Sequence, residues 1–332
     1  MQNHRLNVMY TAMLVFLSLA LFKVLMQMHD AGINALVHAA EGVIDGRPHW
    51  IAYQNRLLGP YLVKLISLVG FPFSEALKIF IFITVLIQNV LLFYLVMDMR
   101  IRPRESFLWV MVYSLFFIVV QHFWFYTWDS IDAIIFTLFA WGILKGQSTP
   151  YFFVLFSISI LNRETALFIA AFVAIDAFRF ESAAKFKLVS IKKLFAGISL
   201  SLLGAIYIKL VRHWLFISKA DGDPDVDHEL IGNHVYLIQN LKKLFYENFF
   251  SLDVLNSITL SFSVLYLVLN LKNYVEIKIK FALVYFLLVA NILIFGLVNE
   301  TRMYIILIPF WIFILISGKE KVIDRTNQLG RT

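Results

Sequence analysis

The chain has 332 residues, of which 60% are hydrophobic and only 15% are charged. A soluble globular protein carries about 25% charged residues, so this composition argues against a soluble enzyme and indicates a polytopic membrane protein. The absence of cysteine excludes disulfides and thiolate metal sites, and we attribute the net charge of +7 to cytoplasmic Lys and Arg rather than to nucleic-acid binding.

Apolar segments of spanning length recur along the chain, each close to the roughly 20 residues that cross a hydrocarbon core. We therefore predict an all-α membrane helix bundle that forms a single domain over residues 1–332, with about eight full spans. The predicted spanning helices are 6–27, 76–97, 106–121, 130–145, 194–217, 252–271, 281–298 and 303–317. Two further apolar segments, 150–161 and 165–177, are too short to cross alone. They fit two half-helices that enter from the cytoplasmic side and turn at Asn162–Thr165.

The distribution of Lys and Arg predicts the orientation of these helices. With a cytoplasmic N-terminus, the inner segments and the tail contain roughly twice as many Lys and Arg residues as the outer segments, in accord with the positive-inside rule. We therefore predict a multi-pass protein of the cytoplasmic (inner) membrane with both termini inside.

Two of the outer segments are long. Residues 29–75 contain DAGINALVHAAEGVIDG and NRLLGPYLVKLISLVG, whose apolar residues recur at helical spacing, and this pattern predicts two helices lying at the membrane interface. Residues 218–250 begin with the acidic stretch SKADGDPDVDHE and continue into the amphipathic segment VYLIQNLKKLFYENFF.

Most charges in the apolar parts of the chain fall near the predicted outer ends of the helices: Asp30, Asp129, Asp132, Arg163, Glu164, Glu300 and Arg302. Ionisable groups at membrane depth are costly, and they usually face a bundle interior or water on a functional pathway. One alternative is that Arg163–Glu164 and Glu300–Arg302 are local ion pairs that only stabilise turns. The further carboxylate of Asp30 favours a shared cavity that faces outward.

The residue types in this predicted cavity suit the handling of a lipid phosphate. Arginine presents a planar fork that binds phosphate oxygens bidentately. A carboxylate in such a cleft acts as a general base towards an attacking hydroxyl or amine, or as a metal ligand. Together these groups suit the transfer of a group from a lipid phosphate to an acceptor.

The order of these segments is similar to that of the GT-C class of membrane glycosyltransferases, such as aminoarabinose transferases and protein O-mannosyltransferases. The first outer loop of that class resembles MHDAGINALVHAAEGVIDGRPHW, followed by QNRLLGPYLVKLISLVGFPFSEALKIF. Its later elements resemble YTWDSIDAIIFTLFAWGIL, ISILNRETALFIAAF and TRMYIILIPFWIF. The resemblance implies transfer of a sugar, with inversion, from a polyprenyl phosphate to a periplasmic or extracellular glycan, lipid or protein.

On this resemblance Asp30 is the expected catalytic base, and Arg56, Arg163 and Arg302 are expected to hold the donor phosphate. The expected supporting residues are His122, Trp128, Asp129, Asp132, Glu164 and Glu300. No cofactor is assigned, and the need for a divalent cation stays open. The expected partners are the lipid-linked sugar, its acceptor and membrane lipids.

Two other functions use the same charges. A transporter or flippase would need a cavity that opens on both sides, whereas the polar residues within the helical parts cluster towards one face, which favours the enzyme. A polysaccharide polymerase or ligase would share the chemistry but take a pyrophosphate-linked oligosaccharide.

Overall fold

A computed structural model describes residues 2–48, 53–121, 125–182, 185–215, 235–243, 264–267, 276–296, 298 and 300–317, with backbone alone for residues 2–7. Within these ranges the chain is largely helical. The helices are α1 (Gln2–His29), α2 (Ile33–Ile44), α3 (Leu58–Ser67), α4 (Phe73–Asp98), α5 (Pro103–Val120), α6 (Thr127–Leu144), α7 (Thr149–Ile160), α8 (Leu167–Ile175), α9 (Ile191–Trp214), α10 (Leu237–Lys242), α11 (Glu276–Phe295) and α12 (308–317). Short 3₁₀ turns occupy Asp30–Gly32, Glu164–Ala166 and Thr301–Ile306.

Six helical stretches in the described residues are long and apolar enough to cross a membrane. They are Val8–Ile44, which joins α1 to α2 through the first 3₁₀ turn, and the helices α4, α5, α6, α9 and α11. These stretches support the prediction of a helical membrane protein and coincide with six of the predicted spans. The predicted span 252–271 lies outside the described residues except for 264–267, which are helical.

The predicted span 303–317 does not form one long helix. Residues Thr301–Ile306 form a 3₁₀ turn, and α12 begins only at residue 308. Pro309 explains this boundary, because proline lacks the amide hydrogen that would bond to the carbonyl four residues earlier and its ring clashes with that carbonyl. Proline is tolerated in the first turn of a helix, so α12 starts immediately before it.

Polar hydrogen bonds join the spanning helices inside the bundle. Helix α4 packs against α1, α3, α5 and α6, and α6 is the most buried of the six stretches. Asn89 Nδ2 of α4 donates to Ser18 Oγ of α1 at 2.9 Å, and Gln88 Nε2 donates to Thr137 Oγ1 of α6 at 2.8 Å. Such bonds between helices help hold together a bundle in which lipid and side chains are equally apolar.

The two half-helices and the two helices of the first long loop match their predicted positions. Helices α7 and α8 have 12 and 9 residues, so each is shorter than the roughly 20 residues of a full span. Helices α2 and α3 lie within residues 29–75, and α10 lies within the amphipathic segment that follows the acidic stretch. The acidic stretch itself lies outside the described residues.

An antiparallel β-hairpin between α8 and α9 was not predicted. It consists of β1 (Phe178–Ser182) and β2 (Lys185–Leu188), and its register pairs Phe178 with Leu188 and Phe180 with Phe186. Aromatic and charged residues alternate with a period of two in FRFES and KFKL, which is the strand period. Assignment by long apolar runs overlooked this short signal.

Helices α8 and α9 approach each other closely at Gly197. A Cβ atom added there would lie 2.4 Å from the backbone nitrogen of Ala174, a distance that requires the two backbones to move apart. We expect Gly197→Val to lower the free energy of unfolding by about 1–3 kcal/mol, the usual cost of overpacking. Thermal unfolding of the detergent-purified protein would measure this loss, with Ala205→Val on the exposed side of α9 as the control. Equal stability of the two variants would contradict the tight packing.

Candidate functional site

Charged side chains from five segments of the chain meet where several helices begin or end. They come from the loop before α3, the start of α6, the turn between α7 and α8, the end of α9 and the 3₁₀ turn before α12. We call this group the charge cluster; it consists of Arg56, Asp129, Asp132, Arg163, Glu164, Arg212, Glu300 and Arg302.

The first turns of α6 supply two fully buried carboxylates. Asp129 Oδ2 accepts a hydrogen bond from Tyr126 N at 3.1 Å and closes a capping box at the helix start, where a negative charge also interacts favourably with the helix dipole. Asp132 Oδ1 accepts from Asn162 Nδ2 at 2.8 Å, and the same amide donates to Trp128 O at 2.9 Å. Asn162 therefore connects α6 to the turn between α7 and α8.

Arg163 lies between the two carboxylates. Its Nη1 is 3.4 Å from Asp129 Oδ1 and 3.3 Å from Asp132 Oδ2. The backbone at Arg163 is extended, and its N–H donates to Ser159 O at 2.9 Å, which ends α7 and directs the side chain towards α6. A cation shared by two carboxylates offsets much of the cost of burying them.

Glu164 pairs with a residue that the sequence analysis did not select. Its Oε1 forms an ion pair with Arg212 Nη2 near the end of α9, and the same nitrogen donates to Asn55 Oδ1 at 3.2 Å. Neighbours in sequence, Arg163 and Glu164 thus have different partners, so the alternative of a local pair between them is wrong. The sequence contained one indication that Arg212 belongs to the site, because Arg212 is an ionisable residue within the predicted apolar span 194–217.

Arg302 forms a local ion pair and also takes part in the charge cluster. It pairs with Glu300 Oε1, as the local alternative predicted, and its Nη1 is 3.6 Å from Asp129 Oδ2. Burial alone would raise the pKa of the Glu300 carboxyl, but the Arg302 guanidinium beside it lowers that pKa below its ordinary value. Glu300 is therefore ionised at neutral pH.

Two aromatic rings separate Arg302 from Arg56. The rings of Tyr126 and Trp128 are stacked, with centroids 4.7 Å apart and an interplanar angle of 11°. The Arg302 guanidinium lies 4.6 Å from the Tyr126 centroid, and the Arg56 guanidinium lies 4.8 Å from the Trp128 centroid. Tyr53 adds a further ring 5.2 Å from Arg56, and its hydroxyl donates to Tyr126 Oη at 2.9 Å. Cation–π contacts of this kind stabilise a guanidinium without neutralising its charge.

Arg56 is a buried cation that forms no direct ion pair among the described residues, although the Glu164 carboxylate is close enough to attract it. It is only 6% exposed, and its Nε and Nη1 make no hydrogen bond with the described part of the chain. Burial, and then the charge of Arg163, lower the pKa of Arg56 to about 10, so Arg56 keeps its charge at neutral pH. The segment is held in place because Leu57 N and Leu58 N both donate to Leu161 O at 2.9 Å.

Other buried polar atoms around Arg56 also lack hydrogen bonds within the described residues. They are Asn55 Nδ2, Thr127 Oγ1, Trp128 Nε1, Asn162 Oδ1 and Thr165 Oγ1. Buried polar groups in proteins are nearly always satisfied, by protein, water or ligand. These atoms therefore leave unused hydrogen-bonding capacity in the part of the charge cluster that contains Arg56.

The structure brings together eight of the ten predicted site residues: Arg56, Trp128, Asp129, Asp132, Arg163, Glu164, Glu300 and Arg302. It does not join Asp30 to them. Asp30 is exposed in the 3₁₀ turn between α1 and α2 and forms no ion pair with any described residue. His122 lies outside the described residues. Besides Arg212, the sequence analysis missed Tyr53, Asn55, Tyr126 and Asn162, which are polar or aromatic residues without charge.

The described residues contain no group of three or more His, Asp or Glu side chains placed to hold a metal ion. The need for a divalent cation therefore stays open.

Comparisons of the chain with protein-family models, with curated proteins and with solved structures found no match. The fold and the site together define a helical, multi-spanning membrane protein with a buried charge cluster at the ends of its helices. The chemistry of that cluster is the basis of the functional proposal.

Proposed function

We propose that this chain is a membrane glycosyltransferase similar to the GT-C class, which moves a sugar from a polyprenyl phosphate to a periplasmic or extracellular glycan, lipid or protein acceptor. The observation that supports this most is Arg56, a buried cation with two guanidinium nitrogens free of hydrogen bonds within the described residues. A phosphate is an anion that a guanidinium binds well, through charge-assisted hydrogen bonds.

The other arginines of the cluster explain why Arg56 is the residue left for a ligand. Arg163 has two carboxylate partners and Arg302 has Glu300, so both are largely neutralised within the protein. Arg56 instead forms no ion pair within the described residues; the charges of Arg163 and Arg302 repel it, and the Glu164 carboxylate offsets part of that repulsion. An anion bound beside Arg56 would relieve that repulsion and supply the missing hydrogen bonds. The positive charges of Arg163 and Arg302 would also attract it.

The position of the cluster fits a lipid-linked substrate. It lies where α6 begins and where α7 and α9 end, and the ends of spanning helices lie at the depth of lipid headgroups. A polyprenyl phosphate has its phosphate at that depth and its chain in the hydrocarbon core. The proposed orientation places this end of the bundle on the outer side of the cytoplasmic membrane.

Asp30 remains the proposed general base, because its exposed carboxylate is engaged with no described cation. We expect Asp30→Asn to reduce turnover by ~10²–10⁴, the usual effect of removing one proton acceptor, while donor binding stays intact. Asp45→Asn is the matched control, since Asp45 is an exposed acid in the same outer segment. Initial rates of sugar transfer and donor affinity measure the two effects separately. Near-normal turnover in Asp30→Asn would remove Asp30 from the mechanism.

The function itself is tested with purified protein in sealed proteoliposomes, given a panel of polyprenyl-phosphate sugars and candidate acceptors. A transferase consumes the donor and releases free polyprenyl phosphate together with a glycosylated acceptor. A flippase moves the intact donor between leaflets, and a polymerase or ligase accepts only pyrophosphate-linked oligosaccharides. Mass spectrometry of the lipid fraction detects cleavage of the donor, and a membrane-impermeant reagent that modifies only outer-leaflet donor detects translocation. Donor translocation without cleavage would refute the enzyme.

A further inference from the structure

The hairpin β1–β2 has two chemically different faces. Directly paired residues of an antiparallel pair lie on the same face, so Phe178, Phe180, Phe186 and Leu188 form an apolar face. Arg179 pairs with Lys187 on the opposite face, and the exposed Lys185 and Glu181 lie towards the bulged end of the strands.

The basic face lacks counter-ions within the described residues. Arg179 lies directly opposite Lys187, and like charges opposite each other destabilise a strand pair. Neither residue forms an ion pair with any described side chain, and both are exposed. Glu181 is the one acidic residue in the hairpin and is also unpaired within the described residues. Anions from outside the protein would therefore balance the positive charges of this face.

The apolar face is only partly covered by protein. The ring of Phe186 contacts those of Phe178 and Phe180, with centroids 5.7 and 5.9 Å apart, yet Phe186 is 62% exposed. The neighbouring Leu188 and Val189 are 41% and 65% exposed. A two-stranded hairpin is marginally stable in water alone; β1 packs against α11, and the exposed part of the apolar face leaves room for a further apolar surface. The acyl region of a bilayer provides one.

Ion pairs hold the hairpin at a fixed place relative to the spanning helices. Asp176, just before β1, pairs with Lys193 at the start of α9 and with Lys280 at the start of α11, at 2.5 and 2.8 Å. At the same base of the hairpin, where β2 ends, Val189 N and Ser190 N donate to Ala177 O at 2.9 and 3.1 Å. These contacts fix the base of the hairpin, and with it the basic residues, at a defined position along the spanning helices.

The hairpin and the charge cluster lie at opposite ends of α9. The hairpin precedes residue Ile191 of that helix, whereas Arg212 contacts Glu164 near its other end. A helix of 24 residues is about 36 Å long, which exceeds the roughly 30 Å of the hydrocarbon core. The hairpin therefore lies at the membrane face opposite the charge cluster.

We propose that the β-hairpin is a binding site for anionic phospholipid headgroups at that face, independent of the proposed transferase activity. The apolar face contacts the acyl region, and Arg179, Lys185 and Lys187 extend their side chains to lipid phosphates. Lys and Arg commonly place their charged ends at the headgroups while their carbon chains cover apolar surface. Basic residues beside a membrane bind anionic lipids in this way.

Because the chain has no cysteine, Ser182→Cys at the exposed end of β1 carries a single donor fluorophore on the full-length protein. In nanodiscs, energy transfer to acceptor-labelled phosphatidylglycerol is compared with transfer to acceptor-labelled phosphatidylcholine. We expect phosphatidylglycerol to be enriched, and Arg179→Gln with Lys187→Gln to reduce the preference roughly 25-fold, at about five-fold per basic residue. Arg47→Gln with Lys64→Gln, exposed charges in a different segment, should leave it unchanged.

Two measurements keep the test decisive if the glutamine variant folds poorly. Raising the salt concentration on the otherwise unchanged chain should weaken the preference, because exposed charges are screened, and Arg179→Lys should retain it. Equal energy transfer from both lipids, or a preference that survives loss of both basic residues, would overturn the proposal. In that case an acidic protein partner would be the remaining candidate for the basic face.

Discussion

Replacing Arg163 with methionine is expected to lower the free energy of unfolding by about 3–5 kcal/mol, the usual effect of removing one partner from a buried ion pair. Asp129 and Asp132 would then both be buried without their shared cation. Methionine has a similar length and no charge, so the loss is electrostatic rather than a cavity. Thermal or denaturant unfolding of the detergent-purified protein measures it.

Two variants serve as controls for Arg163→Met. Arg104→Met removes an exposed arginine that has no ion pair among the described residues, and should change stability little. Arg163→Met combined with Asp129→Asn and Asp132→Asn removes the charges together and should recover much of the lost stability. If the single variant were as stable as wild type, the three residues would not form a buried charge network.

The pairing of Arg163 also decides which charge swap is informative. Exchanging Arg163 and Glu164 would break two separate ion pairs at once, because Arg163 pairs with α6 and Glu164 with α9. The informative exchange is Glu164→Arg with Arg212→Glu, which preserves that pair in reversed order.

Replacing Arg56 with methionine is not expected to lower the free energy of unfolding of the ligand-free protein, in contrast to Arg163→Met. It is expected to cause the largest loss of polyprenyl-phosphate binding. Removing a buried cation that forms no ion pair with a described carboxylate and is repelled by Arg163 and Arg302 should leave the free energy of unfolding unchanged or raise it, since such a charge is costly to bury. Loss of the charge-assisted hydrogen bonding and of the positive charge beside the phosphate should weaken polyprenyl-phosphate binding by ~10²–10⁴. Unfolding temperatures with and without polyprenyl phosphate measure both effects.

Arg56→Lys separates charge from geometry. Lysine keeps the positive charge but loses the planar fork, so we expect a smaller loss of binding than in the methionine variant. Decaprenol, the neutral alcohol, is the matched ligand control and should not stabilise the wild-type protein. A methionine variant destabilised as strongly as Arg163→Met would show that Arg56 is a structural cation, and the phosphate site would then be abandoned.

The helices were predictable because their signals are local. Long apolar runs define the spanning stretches, and the polar residues Asn162–Thr165 between two short runs define the turn of the half-helices. The hairpin was missed although its signal is also local, because a four-residue alternation is weak beside the apolar runs that flank it. The late start of α12 at residue 308 could have been predicted from the position of Pro309.

The sequence by itself determined which charges would be costly at membrane depth and that several would meet near the helix ends. Hydropathy alone places Asp129, Arg163 and Arg302 in apolar surroundings, and burial of such groups demands partners. Which partners they have was decided only by the tertiary structure. Arg163 contacts α6 rather than Glu164, and Glu164 contacts Arg212, 48 residues further along the chain.

The physical reason is that an ion pair depends on the distance between two atoms in space, which sequence separation does not set for residues on different helices. The packing of α7 against α6 and α9 brings those atoms together, and the Tyr126–Trp128 stack holds Arg56 apart from Arg302. For the same reason the exposure of Asp30, and the lack of hydrogen bonds at Arg56 Nε and Nη1 within the described residues, emerged only once the helices were packed.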